Sequence, residues 1–177
     1  MTFISCYLSA FSSDNNKIHY LRNTPFNPDA VTLIFLHGFP ESSYAWDAYL
    51  PHFAKLGFNV LAPDLRGNLL SNGFKTLDDF DIHLLTEDVR LLIAKYEAKK
   101  VVIIGHDLGG AVAWQLAESY PCLSKALILL NSPHPGAYSR LFRSTPWLTI
   151  RQTLRFWYLY VFQLRSIPEY LMLKGDS

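Results

Sequence analysis

The residues of this chain best suited to chemistry lie in VVIIGHDLGGAVAW, residues 101–114. An apolar run enters a turn bounded by Gly105 and Gly109, a helical segment leaves it, and the carboxylate of Asp107 stands at the apex. The spacing Gly-x-nucleophile-x-Gly belongs to a sharp strand-to-helix turn that lifts its central side chain into the open above a sheet. Glycine is needed on both sides, because the central residue holds a strained backbone and a β-carbon beside it would collide with the strand or the helix. A plainer reading makes Asp107 only the N-cap of the following helix, a position aspartate often fills. A second segment favours the chemical reading. LHGFP, residues 36–40, follows the apolar run VTLIF. In the same architecture the loop after that strand supplies one main-chain N–H of an oxyanion hole, and the residue after the nucleophile supplies the other. Phe39 and Leu108 are the expected donors. His37, Gly38 and Pro40 shape the first turn; Gly105, His106, Gly109 and Gly110 shape the second.

The elements that must position these turns are legible as well. VTLIFLHG, FNVLAPD, KKVVIIGH and KALILLNS are near-continuous aliphatic runs ending in Gly, Asp, His or Ser, the pattern of parallel strands buried on both faces. Between them Ile82, Leu85, Val89, Leu92 and Tyr96 recur at helical spacing. Asp78, Asp79 and Asp81 precede that helix and Lys95, Lys99 and Lys100 lie near its end, so charge complements the helix dipole. Ser43–Leu56 and Gly109–Ser119 supply two more helices, and SCYLSA with NKIHYLRN forms a leading antiparallel pair. Strands alternating with helices give an open, mostly parallel α/β sheet with helices on both faces. Past Asn131 the composition shifts: SPHPGAYSRLFRSTPW is rich in turn residues, and the remainder is helical, aromatic and studded with arginine. A boundary near Ser132 therefore separates residues 1–131 from residues 132–177.

The gross composition narrows the function classes. A chain of 177 residues that is half hydrophobic has enough material for one domain with a real core. Sixteen basic residues against 15 acidic ones, with no long like-charged run, give no reason to expect nucleic acid as a partner. Cys6 and Cys122 lie far apart, without metal-ligand spacing. They read as packing residues of a reducing compartment, and no cofactor or metal is implied. The N-terminus lacks the pattern of a secretory signal. The longest apolar stretch, Trp147–Leu164, is interrupted by Arg151, Gln152, Arg155 and Gln163, so no membrane span is expected. A cytoplasmic location is the default expectation.

HGFPESSYAWDAYLPHFAKLGFNVLAPDLRG, GHDLGGAVAWQLAESYP and LILLNSPHP resemble the α/β-hydrolase superfamily, and specifically its epoxide hydrolases. Haloalkane and fluoroacetate dehalogenases, close relatives of that group, share the aspartate. The resemblance implies that Asp107 attacks a saturated carbon of a small hydrophobic epoxide and forms an ester with the enzyme, which water later hydrolyses. The physical logic agrees: a carboxylate needs no base to activate it, and its ester keeps a carbonyl that water can attack, whereas a serine would be left as an inert ether. Phe39 and Leu108 N–H groups would hold the second carboxylate oxygen and the oxyanion of ester hydrolysis. The resemblance also implies a helical cap beginning within residues 132–177. In FWYLYVFQL, Tyr158 matches the first of the two cap tyrosines that stabilise the epoxide oxygen, a task suited to a neutral phenol. Tyr160, two residues on, lies about 200° around a helix, so only one of the pair can point at Asp107.

Ester hydrolysis requires a general base, and in this fold the histidine comes after the nucleophile and after the acid that orients it. None of the six histidines occupies such a place, and the position after the strand KALILL, where some dehalogenases keep their acid, is Asn131. The chain is therefore expected to be an incomplete α/β-hydrolase fold, its first six strands plus the start of a cap, able to carry out the first half-reaction at best. The strand ending at Asn131 would be an uncovered edge open to self-association. Leu108 stands where the resembled group often has tryptophan, which weighs against halide binding and makes a dehalogenase the weaker enzyme alternative. A non-catalytic truncated fragment is the remaining one.

Overall fold

The computed structural model describes residues 2–11, 13–68, 70–144 and 146–155. The aliphatic runs form six strands: β1 (Thr2–Ala10), β2 (Ser13–Thr24), β3 (Thr32–Leu36), β4 (Asn59–Pro63), β5 (Val101–His106) and β6 (Ala126–Leu130). They make one sheet in the order β1-β2-β4-β3-β5-β6. β1 and β2 pair antiparallel, as do β2 and β4, whereas β3 is parallel to both β4 and β5, and β5 to β6. This is the mostly parallel α/β sheet anticipated from the sequence. Its register brings Leu36 beside Gly105, so the two glycine turns leave the same edge of the sheet from neighbouring strands.

The pleat sorts the strand residues onto two layers. Ile34, Leu36, Leu61, Val101 and Ile103 pack in one core with Leu85, Val89 and Leu92 of α2 (Ile82–Lys95) and Val112, Ala113 and Leu116 of α3 (Leu108–Ser119). Leu33, Phe35, Val60, Ala62 and Ile104 point the other way and meet Trp46, Leu50 and Ala54. Helix α2 starts where its acidic cluster suggested, with the Asp81 side chain accepting from His83 N–H at 2.7 Å.

Three expectations need correction. Ser43–Leu56 is not one helix: a short 3-10 turn over Ser43–Trp46 precedes a six-residue α1 (Leu50–Lys55), with Pro51 at the start of α1. Proline has no N–H to donate to the preceding turn, so it opens a new helix instead of extending an old one. β6 is not buried on both faces; Ile128 and Leu130 are 50% and 43% exposed, while Leu127 and Leu129 pack inward. Among the described residues it is the outermost strand, and its Leu127 and Leu129 face packs on the core shared with α2 and α3. Cys122 is exposed in the turn after α3 instead of packed, and both cysteines are free.

The chain divides after Ser132 into two compact units. Within the second lie α4 (Pro135–Ser144) and α5 (Pro146–Arg155), each opened by a proline. Among the described residues no helix is long and apolar enough to cross a membrane.

Candidate active site

β5 ends at His106 and α3 begins at Leu108, so Asp107 alone makes the reversal from strand to helix. It does so at φ 48°, ψ −113°, a left-handed conformation that β-carbon sterics disfavour. The main chain holds it there. Asp107 N–H donates to Leu130 C=O at 3.2 Å, and Asp107 C=O accepts from Gly110 and Ala111 N–H at 3.0 and 3.1 Å, which starts the helix. The side chain takes no part in capping α3. The residue is exposed, and its Oδ2 accepts the Phe39 N–H at 3.2 Å.

Close approach explains the glycines. A β-carbon on Gly38 would lie 2.8 Å from Asp107 Cβ and 3.2 Å from its Oδ2; one on Gly109 would lie 2.3 Å from Leu36 C=O. Gly105 and Gly110 are tight in the same way, the first against the backbone of residues 109 and 110 and the second against Ser132. The four glycines let the β3 turn, the β5 turn and the first turn of α3 share one small volume. Leu108 is half-buried at the start of α3, where helix geometry leaves the first N–H groups without an intrahelical acceptor. Phe39 is 55% exposed, and the Phe39–Pro40 peptide is cis.

His37 is a fastener. Fully buried, it accepts Leu65 N–H on Nε2 at 2.9 Å, which leaves Nδ1 to donate to Gly38 C=O at 2.8 Å. That fixes its tautomer and ties the β3 turn to the loop after β4. Burial pushes its imidazole below the ordinary value, against the opposing pull of the Gly38 bond and of the Asp64 and Glu41 charges.

Sequence reasoning missed Glu41. Its Oε2 accepts both Gly38 N–H at 3.1 Å and His106 Nδ1 at 3.0 Å, so one carboxylate oxygen bridges the two turns on either side of Asp107. Partial burial pushes the Glu41 carboxyl up, but the His106 and Gly38 hydrogen bonds outweigh it and hold the group below its ordinary value. Glu41 also closes a tight turn, its N–H donating to Gly38 C=O at 3.0 Å. His106 is thereby directed toward Glu41. Asn131, at the end of β6, has φ 53° and is exposed, a conformation asparagine tolerates. Tyr158 and Tyr160 lie outside the described residues. Among the described residues no group of three His, Cys, Asp or Glu side chains could hold a metal ion.

A mostly parallel α/β sheet with a raised, uncapped carboxylate at its edge and a main-chain donor aimed at it describes an α/β fold organised around a strand–helix turn. The profile of the alpha/beta hydrolase fold matches residues 31–169, and the chain belongs to that family. Its relatives include epoxide hydrolases. It is 36% identical over 160 residues to epoxide hydrolase 1 of Caenorhabditis elegans, covering 90% of this chain and 38% of that protein. It is 38% identical over 148 residues to the AB hydrolase superfamily protein YfhM of Bacillus subtilis (strain 168), covering 84% of this chain and 50% of the relative. The crystal structure of epoxide hydrolase VrEH1 from Vigna radiata superposes with a TM-score of 0.66 at 26% identity, over 75% of this chain and 39% of that one. The chain thus spans half or less of the length of these relatives.

Proposed function

We propose that this chain carries the nucleophile half of an epoxide hydrolase, with Asp107 attacking an epoxide carbon. One Asp107 oxygen forms a bond to the carbon, the ring C–O bond breaks, and the released alkoxide takes a proton. The Oδ2 oxygen, held by Phe39 N–H, becomes the ester carbonyl, and the Leu108 N–H is its second donor. The proton donor on this reading is Tyr158, within a cap that begins in residues 132–177. Hydrolysis of the ester needs a base besides His106, whose Nδ1 faces Glu41. The observation that carries the proposal is that the Asp107 carboxylate is exposed, makes no cap bond and meets a main-chain N–H of a distant loop.

The test is incubation with styrene oxide followed by peptide mass spectrometry. One substrate mass on Asp107 is the expected result. An unmodified Asp107 in protein shown to be folded would overturn the proposal, and chloride release from a chloroalkane in its place would point to a dehalogenase.

On the same reading the substrate is small and hydrophobic, and the two free cysteines fit a cytoplasmic setting. The outward face of β6 also supports self-association. Two copies meeting antiparallel about Ile128 would pair Ala126 with Leu130, so the apolar pattern is self-complementary.

A further inference from the structure

With three strands, β3, β4 and β2, between it and β5, β1 helps assemble a second nucleophile arrangement. Ser5 of β1 and His19 of β2 lie on the same face of the hairpin, on diagonal positions of a register that pairs Tyr7 with His19. Ser5 Oγ is 2.6 Å from His19 Nε2, and His19 Nδ1 is 2.8 Å from Asp64 Oδ2, just past the end of β4. His19 and Asp64 are buried at 1% and 0% exposure, whereas Ser5 is exposed. We propose that Ser5, His19 and Asp64 form a serine–histidine–aspartate relay that makes Ser5 an acyl-accepting nucleophile, independent of Asp107.

The surrounding bonds fix the roles. The Asp64 carboxylate accepts Ser43 N–H on Oδ1 at 2.6 Å, which leaves Oδ2 for the imidazole. An acceptor there requires the proton on Nδ1, and in the neutral imidazole the lone pair on Nε2 then faces the Ser5 hydroxyl, as a general base must. His19 is immobilised on its backbone too: its N–H donates to Ser71 Oγ at 2.9 Å, Ser71 Oγ donates to Asp64 C=O at 2.7 Å, and Asp64 N–H donates to His19 C=O at 2.9 Å. The Tyr7 ring meets the imidazole edge-on, centroids 5.3 Å apart, and stays half exposed beside Ser5 as an apolar flank. β1 is an edge strand, so alternate main-chain N–H groups point away from β2, one of them at Ser5 or Cys6. Such a donor suits the oxyanion of an acyl transfer. A purely structural network would not require its outermost member to be a hydroxyl facing solvent.

The substrate class is an activated ester of a small acyl or aryl acid. Ser5 Oγ bonds to the carbonyl carbon as its proton passes to His19 Nε2. The bond from that carbon to the leaving oxygen breaks, and the departing alcohol carries the proton away. Water then releases the acid by the same path.

An alkyl fluorophosphonate reports the first step directly, since the O–P bond forms, fluoride leaves and the proton stays on His19. Peptide mass spectrometry of the treated chain is expected to show one phosphonyl group on Ser5 and none on Ser9, whose hydroxyl on the same strand accepts from Lys17 Nζ at 2.9 Å. His19→Gln is expected to slow labelling by about 100-fold or more, and Ser5→Ala to abolish it. Folded protein without an adduct on Ser5, or a His19→Gln variant labelled as fast as wild type, overturns the relay. Because His19 is buried and its substitution can unfold the hairpin, the Ser5-to-Ser9 labelling ratio is also compared between native and urea-unfolded wild type. Loss of the preference on unfolding supports the relay; an equal ratio in both states refutes it.

Discussion

The main-chain N–H of Phe39 meets Oδ2 of Asp107 at 3.2 Å across a separation of 68 residues, while the same carboxylate leaves the start of its own helix uncapped. A capping aspartate replaced by alanine costs about 0.5–2 kcal/mol. Asp107→Ala should therefore cost less than about 0.5 kcal/mol in urea unfolding while abolishing alkylation by styrene oxide. Asp107→Gly should be more stable than Asp107→Ala by about 1 kcal/mol, since glycine relieves the strain at φ 48°. An alanine variant weakened by 1–2 kcal/mol would restore the capping role instead.

Gly38 is the residue against which the carboxylate is set. An alanine β-carbon there would sit 2.8 Å from Asp107 Cβ, and the nearest atoms belong to a strained turn with little room to yield. Gly38→Ala should cost about 1–3 kcal/mol and suppress labelling of Asp107 by more than about tenfold, because the Phe39 N–H moves off the carboxylate. Unaltered labelling kinetics would show that the two turns are not mechanically coupled.

How far the sequence foretold this site depends on which interactions are local. The strand-to-helix turn at Asp107, the HGFP turn and the parallel strands were legible because glycine spacing and aliphatic runs are written in consecutive residues. Glu41 was not, since its role arises where Gly38 N–H and His106 converge from different strands. The His19–Asp64 contact was hidden for the same reason: β2 pairs with β4, and nothing within either strand announces that pairing. The single helix expected over Ser43–Leu56 breaks at Pro51, because the hydrophobic period runs on through a residue that has no N–H to donate. β6 read as fully buried because an aliphatic run does not reveal whether a neighbour covers its second face.

Glu41 should leave an acid-side signature in stability. Its folded carboxyl lies below the ordinary 4.5, so its contribution is fully present above that value and is lost as pH falls through the depressed folded one. The difference in Tm between wild type and Glu41→Gln should be largest at neutral pH and shrink in acid. With the side chain 38% exposed, solvent screening limits the effect to about 1 kcal/mol or less. A difference that grows in acid would contradict the bridging role.

His37 should act over a higher window. Burial holds its folded value below the ordinary 6.5, so the unfolded chain takes up the proton first. Stability is present above about pH 6.5 and declines as pH falls toward the depressed folded value. Glutamine can accept from Leu65 N–H and donate to Gly38 C=O without titrating. His37→Gln should therefore lose about 1–2 kcal/mol at pH 7.5 yet show a flatter decline between pH 6.5 and 5 in urea titrations. Equal slopes would mean that His37 does not carry the linkage.

Self-association through β6 makes the last prediction. Ile128 is half exposed at the centre of the outermost strand, flanked on the same face by Ala126 and Leu130. Lysine at an edge strand both charges the face and adds a long side chain that a second copy must desolvate. Ile128→Lys should therefore shift sedimentation toward a single species at concentrations where the wild type forms larger ones. Ile128 makes no contribution to the inward core built on Leu127 and Leu129, so the variant should keep the wild-type unfolding midpoint to within about 0.5 kcal/mol. If wild type and variant sediment alike, the exposed face of β6 does not drive association, and the rate of Asp107 alkylation should then be independent of protein concentration in both.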